Sequence, residues 1–182
     1  MNPFEINEAL DGMVCLVDTR EQDTPRLRAR LATMNCPNER EKLDFGDYSA
    51  KFPLPSGDWL SLADKVVIER KMHIDELCNC YCKDRQRFIK EFKRAAESGS
   101  KIYLLIENAT WEKIYAGKYK SQMRETALVA SILAWCARYN CIPIFCKPEI
   151  SGLLIKDILY REGKELLSQY ENNDLSTATT EI

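Results

Sequence analysis

Four short apolar runs, MVCLVD (13–18), KVVIERK (65–71), KIYLLIE (101–107) and IPIFC (142–146), recur along the chain with longer amphipathic segments between them. Runs of this length suit strands buried on both faces, whereas the intervening segments repeat their apolar residues at helical spacing. Such strands stay dry only if they share one sheet and the helices cover it. The chain is therefore expected to be α/β, with a mixed central sheet and helices on both faces.

Local signals refine this expectation. Thr24 followed by Pro25 predicts a helix start at TPRLRARLA. REKLDFGDYSAKF (40–52) alternates as strands do, with Gly46 as the break between them. PLPSGDW (53–59) must be a loop, so the segments around it form an antiparallel hairpin. From Asp84 to Glu97, Phe88, Ile89, Phe92, Ala95 and Ala96 share one helical face, opposite Arg87, Lys90 and Arg94. Two more helices are expected, at about 122–139 and 149–170. The first of them is apolar over most of its circumference (Leu128, Val129, Ile132, Leu133, Trp135, Cys136), which predicts packing on more than one side. Residues 1–172 read as a single domain, and the polar residues 173–182 as a disordered tail.

At 45% hydrophobic and 30% charged residues, the composition is that of an ordinary globular protein. No apolar run approaches the roughly 20 residues that a membrane span needs, and the N-terminus lacks the basic and apolar regions of a signal peptide. A cytoplasmic location without membrane contact is expected. The eight cysteines are irregularly spaced and several lie in apolar stretches, so they read as reduced thiols. The net charge of −2 conceals an uneven distribution, with ten Lys plus Arg against six Asp plus Glu between Lys65 and Lys101.

The stretch that carries chemistry is FGDY (45–48), followed about twenty residues later by VVIERKMHID (66–75). Alternate side chains on a strand share a face, so Glu69 and Lys71 project together while Arg70 points to the other side. Gly46 lets the backbone turn sharply enough to bring Asp47 beside Glu69. Two carboxylates and an ammonium on one face can hold Mg²⁺ or Mn²⁺ and meet the negative charge that develops at phosphorus in phosphodiester hydrolysis. A surface Glu–Lys pair would show the same spacing without any such function.

The complete set of motifs resembles the XPF-type (ERCC4-domain) nucleases of the PD-(D/E)XK superfamily. Their pattern V-D-x-R-E, G-D-Y/F, V-E-R-K-x-x-x-D stands here as VDTRE (17–21), GDY (46–48) and IERKMHID (68–75). RFIKEFKRAAESGSKIYLLIE (87–107) is similar to the helix and strand that follow in that family, and the likeness extends over about residues 14–150. The resemblance implies a restriction-endonuclease-like fold and a metal-dependent DNA endonuclease that cuts branched or flapped DNA. Asp47 and Glu69 would bind the metal, with Asp18 and Glu21 nearby as further or water-mediated ligands. Lys71 would position water or stabilise the phosphorane, while Arg70 and Asp75 would support the catalytic set. Arg87, with Arg85, Lys90 and Arg94 on the same helix, would contact DNA. Relatives pair through the region of the C-terminal helices, which points to a homodimer here.

Two departures stand out. The glutamine of the family's R-F-x-x-Q helix is Glu91 here, and neither a helicase nor a tandem helix-hairpin-helix pattern occurs in the sequence. DNA affinity is then expected from the nuclease domain, a partner or a dimer, and bare domains of this kind resemble phage and mobile-element proteins. Two alternatives are a non-catalytic DNA-binding or dimerisation subunit of the same fold and a generic PD-(D/E)XK nuclease without junction preference. Inactive relatives lose the acids or the lysine, whereas Asp47, Glu69 and Lys71 all stand here. Cys78, Cys80 and Cys82 lack the C-x₂₋₄-C spacing of structural zinc sites, and His73, the only histidine, reads as a bystander.

Overall fold

The computed structural model describes the backbone of residues 1–177 and the side chains of residues 1–169. Seven strands form one mixed sheet: β1 (Val14–Asp18), β2 (Asn38–Glu41), β3 (Tyr48–Pro53), β4 (Trp59–Ser61), β5 (Val66–Lys71), β6 (Lys101–Glu107) and β7 (Cys141–Cys146). Their order is β2-β1-β3-β5-β6-β7, with β4 paired to β3. β5, β6 and β7 run parallel, β3 is antiparallel to β1, β4 and β5, and β2 lies parallel to β1. The expected hairpin around 53–59 is β3–β4.

Among the described residues, seven helices cover this sheet: α1 (Pro3–Asp11), α2 (Pro25–Met34), α3 (Ile74–Cys82), α4 (Arg85–Glu97), α5 (Trp111–Tyr115), α6 (Glu125–Tyr139) and α7 (Pro148–Thr177). Side-chain alternation along β5 sorts them into two layers. Val66 and Ile68 join a core with α1, α2 and α7, whereas Val67 joins the opposite core with α3, α4, α5 and α6. At the α2–α7 crossing a Cβ on Gly152 would lie 2.3 Å from the Arg30 carbonyl oxygen, so only glycine allows this approach. On the other side Tyr81, Phe88, Phe92, Trp135 and Tyr139 pack edge-to-face or stacked, with ring centroids 4.6–6.0 Å apart. Contacts of this kind contribute about 0.5–1.5 kcal/mol each beyond burial, and they lock α3, α4 and α6 together behind β5.

The structure departs from the expected elements in several places. Residues 40–52 are not two strands divided at Gly46. β2 begins at Asn38 and ends at Glu41, and an irregular segment then leads to β3. β2 escaped notice because its sequence, NERE, is exposed throughout and has no apolar face, a charged edge of the kind that discourages strand pairing between molecules. α6 begins at Glu125 rather than 122, because Arg124 is extended at φ −64°, ψ 144°. α5 is a single turn capped by Thr110, too short to leave a periodic signal. α7 continues to Thr177, and the rest of the expected tail, 178–182, lies outside the described residues. All eight cysteines are free thiols.

Candidate active site

Strand β5 fixes the site. Its alternation places Glu69 and Lys71 on the α3–α4 side, both buried, and Arg70 on the α2–α7 side. Lys71 Nζ lies 2.5 Å from Glu69 Oε1 and 5.4 Å from the centre of the Phe88 ring. Burial disfavours the Lys71 ammonium, but the carboxylates of Glu69 and Asp47 outweigh it and hold the group charged above its ordinary range.

Asp47 reaches β5 through Gly46, whose φ of +75° is open to glycine and strained for other residues. A Cβ there would also come within 2.8 Å of Val67 Cβ, so the close approach needs hydrogen at that position. Backbone bonds stitch Asp47 between β1 and β5: its N–H donates to the Ile68 carbonyl (2.8 Å), and its carbonyl accepts from the Asp18 N–H (2.9 Å). Its Oδ2 accepts the Arg70 N–H at 2.7 Å. Burial first, and the Glu69 and Glu21 carboxylates next, push Asp47 well above the usual carboxylate range.

Around these groups opens a cleft of about 600 Å³, lined also by Arg20, Glu21, Glu76, Arg87 and Glu91. Glu91, which stands at the glutamine position of the resemblance, lies 3.9 Å from Arg20 Nη1 and 4.0 Å from Arg87 Nε. Burial, then Glu69, raises its pKa.

The predicted site residues divide. Asp47, Glu69 and Lys71 converge as expected, with Glu21 and Arg87 at the same cleft. Glu21 is only partly available, because its Oε2 accepts from the Tyr48 hydroxyl at 3.2 Å and lies about 4 Å from Arg30 and Arg70. Asp18, expected beside the metal, is committed elsewhere and only 1% exposed. Its Oδ1 accepts Arg20 N and Nε (2.7 and 2.6 Å), and its Oδ2 accepts Arg20 Nη2 and Leu43 N. Burial alone would raise its pKa, but these donors win and lower it. Asp75 also faces away from the cleft, binding the backbone of Lys120 and Ser121. Lys90 and Arg94 flank a separate groove that begins at Arg87, while Arg85 is exposed beyond both hollows.

Four further residues, His73, Glu76, Glu107 and Arg30, shape this region. His73 is the N-cap of α3, its Nδ1 accepting the Glu76 N–H, while Glu76 Oε2 accepts the Met72 N–H at 2.7 Å. The H-x-x-E spacing is close to a capping box and was the available signal. Behind β5, Glu107 joins the Arg30 and Arg70 guanidiniums at 3.2 and 3.5 Å. Arg30 binds the Tyr48 hydroxyl and Ser151 as well. Arg30 looked like one more basic residue of an amphipathic helix, and no local pattern marks it as buried.

These residues fit a hard divalent cation. Asp47 and Glu69 each keep one carboxylate oxygen without a hydrogen bond among the described residues, and Asp47 sits in surplus negative charge that a cation would relieve. No group of three or more His, Cys, Asp or Glu is placed to hold a metal among the described residues. One or two carboxylates with water or phosphate oxygens is the ordinary environment of Mg²⁺.

Comparison with known proteins agrees with the architecture. The ERCC4 domain model matches residues 17–152. XPF from Aeropyrum pernix superposes with a TM-score of 0.58 at 20% identity, covering 82% of this chain and 61% of that one. The same protein in complex with DNA gives 0.57 at 22% identity, covering 84% and 65%. The chain thus spans under two thirds of the length of these solved structures. No curated protein matches its sequence.

Proposed function

Because the chain belongs to the ERCC4 domain family, we propose that it is a divalent-metal-dependent DNA endonuclease acting at the Asp47–Glu69–Lys71 cleft. The convergence of these three groups, from two strands and a glycine turn, carries the proposal. Asp47 and Glu69 would hold Mg²⁺ or Mn²⁺ through their free oxygens. Such an ion supplies charge neutralisation at the phosphate and acidifies water. Lys71 is buried, charged and fixed by Glu69, so it meets the charge that builds on phosphorus without having to reorganise. The Arg70 N–H holds the Asp47 carboxylate in place, and Arg20 and Arg87 present cations to phosphate at the cleft mouth. Family membership extends the proposal to branched or flapped substrates.

The same proposal includes a homodimer. Leu133, Ile142, Ile150 and Leu153 are 39–51% exposed on α6, β7 and α7, and β7 is an edge strand without an outer partner among the described residues. No helix among the described residues is long and apolar enough to cross a membrane.

Cleavage assays on duplex, flap, fork and single-stranded DNA test the activity. Mg²⁺ or Mn²⁺ should support cutting of branched forms and Ca²⁺ should support little. Full activity in excess EDTA would overturn the proposal. Light scattering tests the dimer, which fails if a monomer mass persists as concentration rises and DNA is added.

A further inference from the structure

The first turn of α3 is a wall between two hollows. Glu76 lines the Glu69–Lys71 cleft, whereas its neighbour Asp75 lines an open trough of about 790 Å³ on the other side. Asp75 Oδ1 accepts the backbone N–H groups of Lys120 and Ser121, both at 2.7 Å, and so ties the loop between α5 and α6 to α3. The Tyr119 hydroxyl closes that loop on itself by donating to the Met123 carbonyl at 2.8 Å. Lys83 from the end of α3 and Lys120 from the loop then edge the trough, with Asn79 and Gln122 on its walls.

Both lysines are exposed, and neither forms an ion pair among the described residues. The one acid in the lining, Asp75, is engaged by two backbone donors. The trough therefore offers two cations and neutral donors against a single carboxylate, Asp75, whose Oδ1 is occupied by the two backbone N–H groups; this excess of positive charge complements a run of phosphates and carries no means of reading base sequence. Because the adjacent residues Asp75 and Glu76 line the trough and the cleft respectively, the two hollows meet at the first turn of α3.

We propose that this trough is a second nucleic-acid contact, which takes the sugar-phosphate backbone a few nucleotides from the scissile bond, with Asp75 as the positioning residue that assembles it. The nuclease reading above supplies the identity of the polyanion.

Binding of fluorescent branched DNA in EDTA, measured by anisotropy over a range of salt, tests this. Lys83→Ala/Lys120→Ala should lower the slope of log Kd against log salt by about 2 and weaken binding roughly tenfold or more at low salt. Asp75→Ala should reproduce much of that loss, whereas Asp75→Asn, which keeps an acceptor oxygen, should retain the wild-type slope. Neutral methylphosphonate linkages at the contacted phosphates should weaken the wild type and leave the double variant unaffected. A slope unchanged in the double variant, or equal losses in both Asp75 variants, overturns the trough. If the wild type still cuts DNA in that case, the nuclease reading stands. A wild type that neither binds nor cuts DNA overturns both.

Discussion

The two faces of β5 treat charge in opposite ways. On the α2–α7 side, Arg70 and Arg30 meet Glu107 and Glu21, two cations against two anions, with the Tyr48 hydroxyl and Ser151 completing the set. On the α3–α4 side, Asp47, Glu69 and Glu91 share a cleft in which Lys71 is the one buried cation, and Arg20 and Arg87 stand at the rim. The first set balances its charges, because an unpaired charge removed from water costs several kcal/mol, although Arg70 Nε has no hydrogen-bond partner among the described residues. The second keeps surplus negative charge and free carboxylate oxygens, an arrangement that a ligand completes. Two residues join the sets: Glu21 lines the open cleft while its Oε2 faces Arg30 and Arg70, and the Arg70 side chain belongs to the balanced network while its backbone N–H clamps Asp47 in the open one.

The sharpest way to test this contrast is to neutralise each face in turn. Asp47→Asn and Glu69→Gln should each lower cleavage by about a thousandfold or more, since each removes charge at the position where a metal supplies several kcal/mol. DNA binding should hold or improve slightly, because a repulsive charge facing phosphate is gone. Near-wild-type turnover in single-turnover kinetics would show that the open face is not catalytic.

On the closed face, Glu107→Gln should act first on stability. It leaves one buried guanidinium, Arg30, and one half-buried one, Arg70, short of their principal counter-charge, a loss of roughly 3 kcal/mol, or about 6–12 °C in Tm for a chain of this size. Calorimetry decides this. A wild-type Tm in this variant would mean that Glu107 is dispensable to the network.

A smaller effect should appear with pH. The pKa of Asp47 is raised in the folded state from an ordinary value of 3.8. The folded state therefore binds that proton more tightly, and the contribution is lost as pH rises through the shifted value. Without metal, the contribution of Asp47 to stability should fall as pH climbs above 4. Mg²⁺ should raise Tm by a few degrees, more at pH 8 than at pH 5, and Asp47→Asn should abolish the difference. A Mg²⁺ effect independent of pH, read by thermal melts, would separate Asp47 from metal binding.

The sequence by itself determined the α/β class, the places of four strands and the shared face of Glu69 and Lys71, but not that the last of the four, β7, is a half-exposed edge strand rather than one buried on both faces. These follow from short-range periodicities, since a strand alternates every two residues and a helix returns about every 3.6 whatever lies around it. It also marked Gly46 as a break, and φ there is positive. Three-dimensional packing decided what each charge is for. Asp18 and Asp47 were both candidate metal-site acids, yet Arg20 and Leu43 enclose the first, while the Arg70 N–H alone hydrogen-bonds the carboxylate of the second. Asp75 stands in the same motif as Lys71 but anchors a loop 45 residues away in sequence. Arg30, one of several arginines on α2, became buried because α7 crosses it and Glu107 waits at the end of β6. A charged residue's role depends on which distant donors and counter-charges the fold brings within about 4 Å, and no local pattern carries that information.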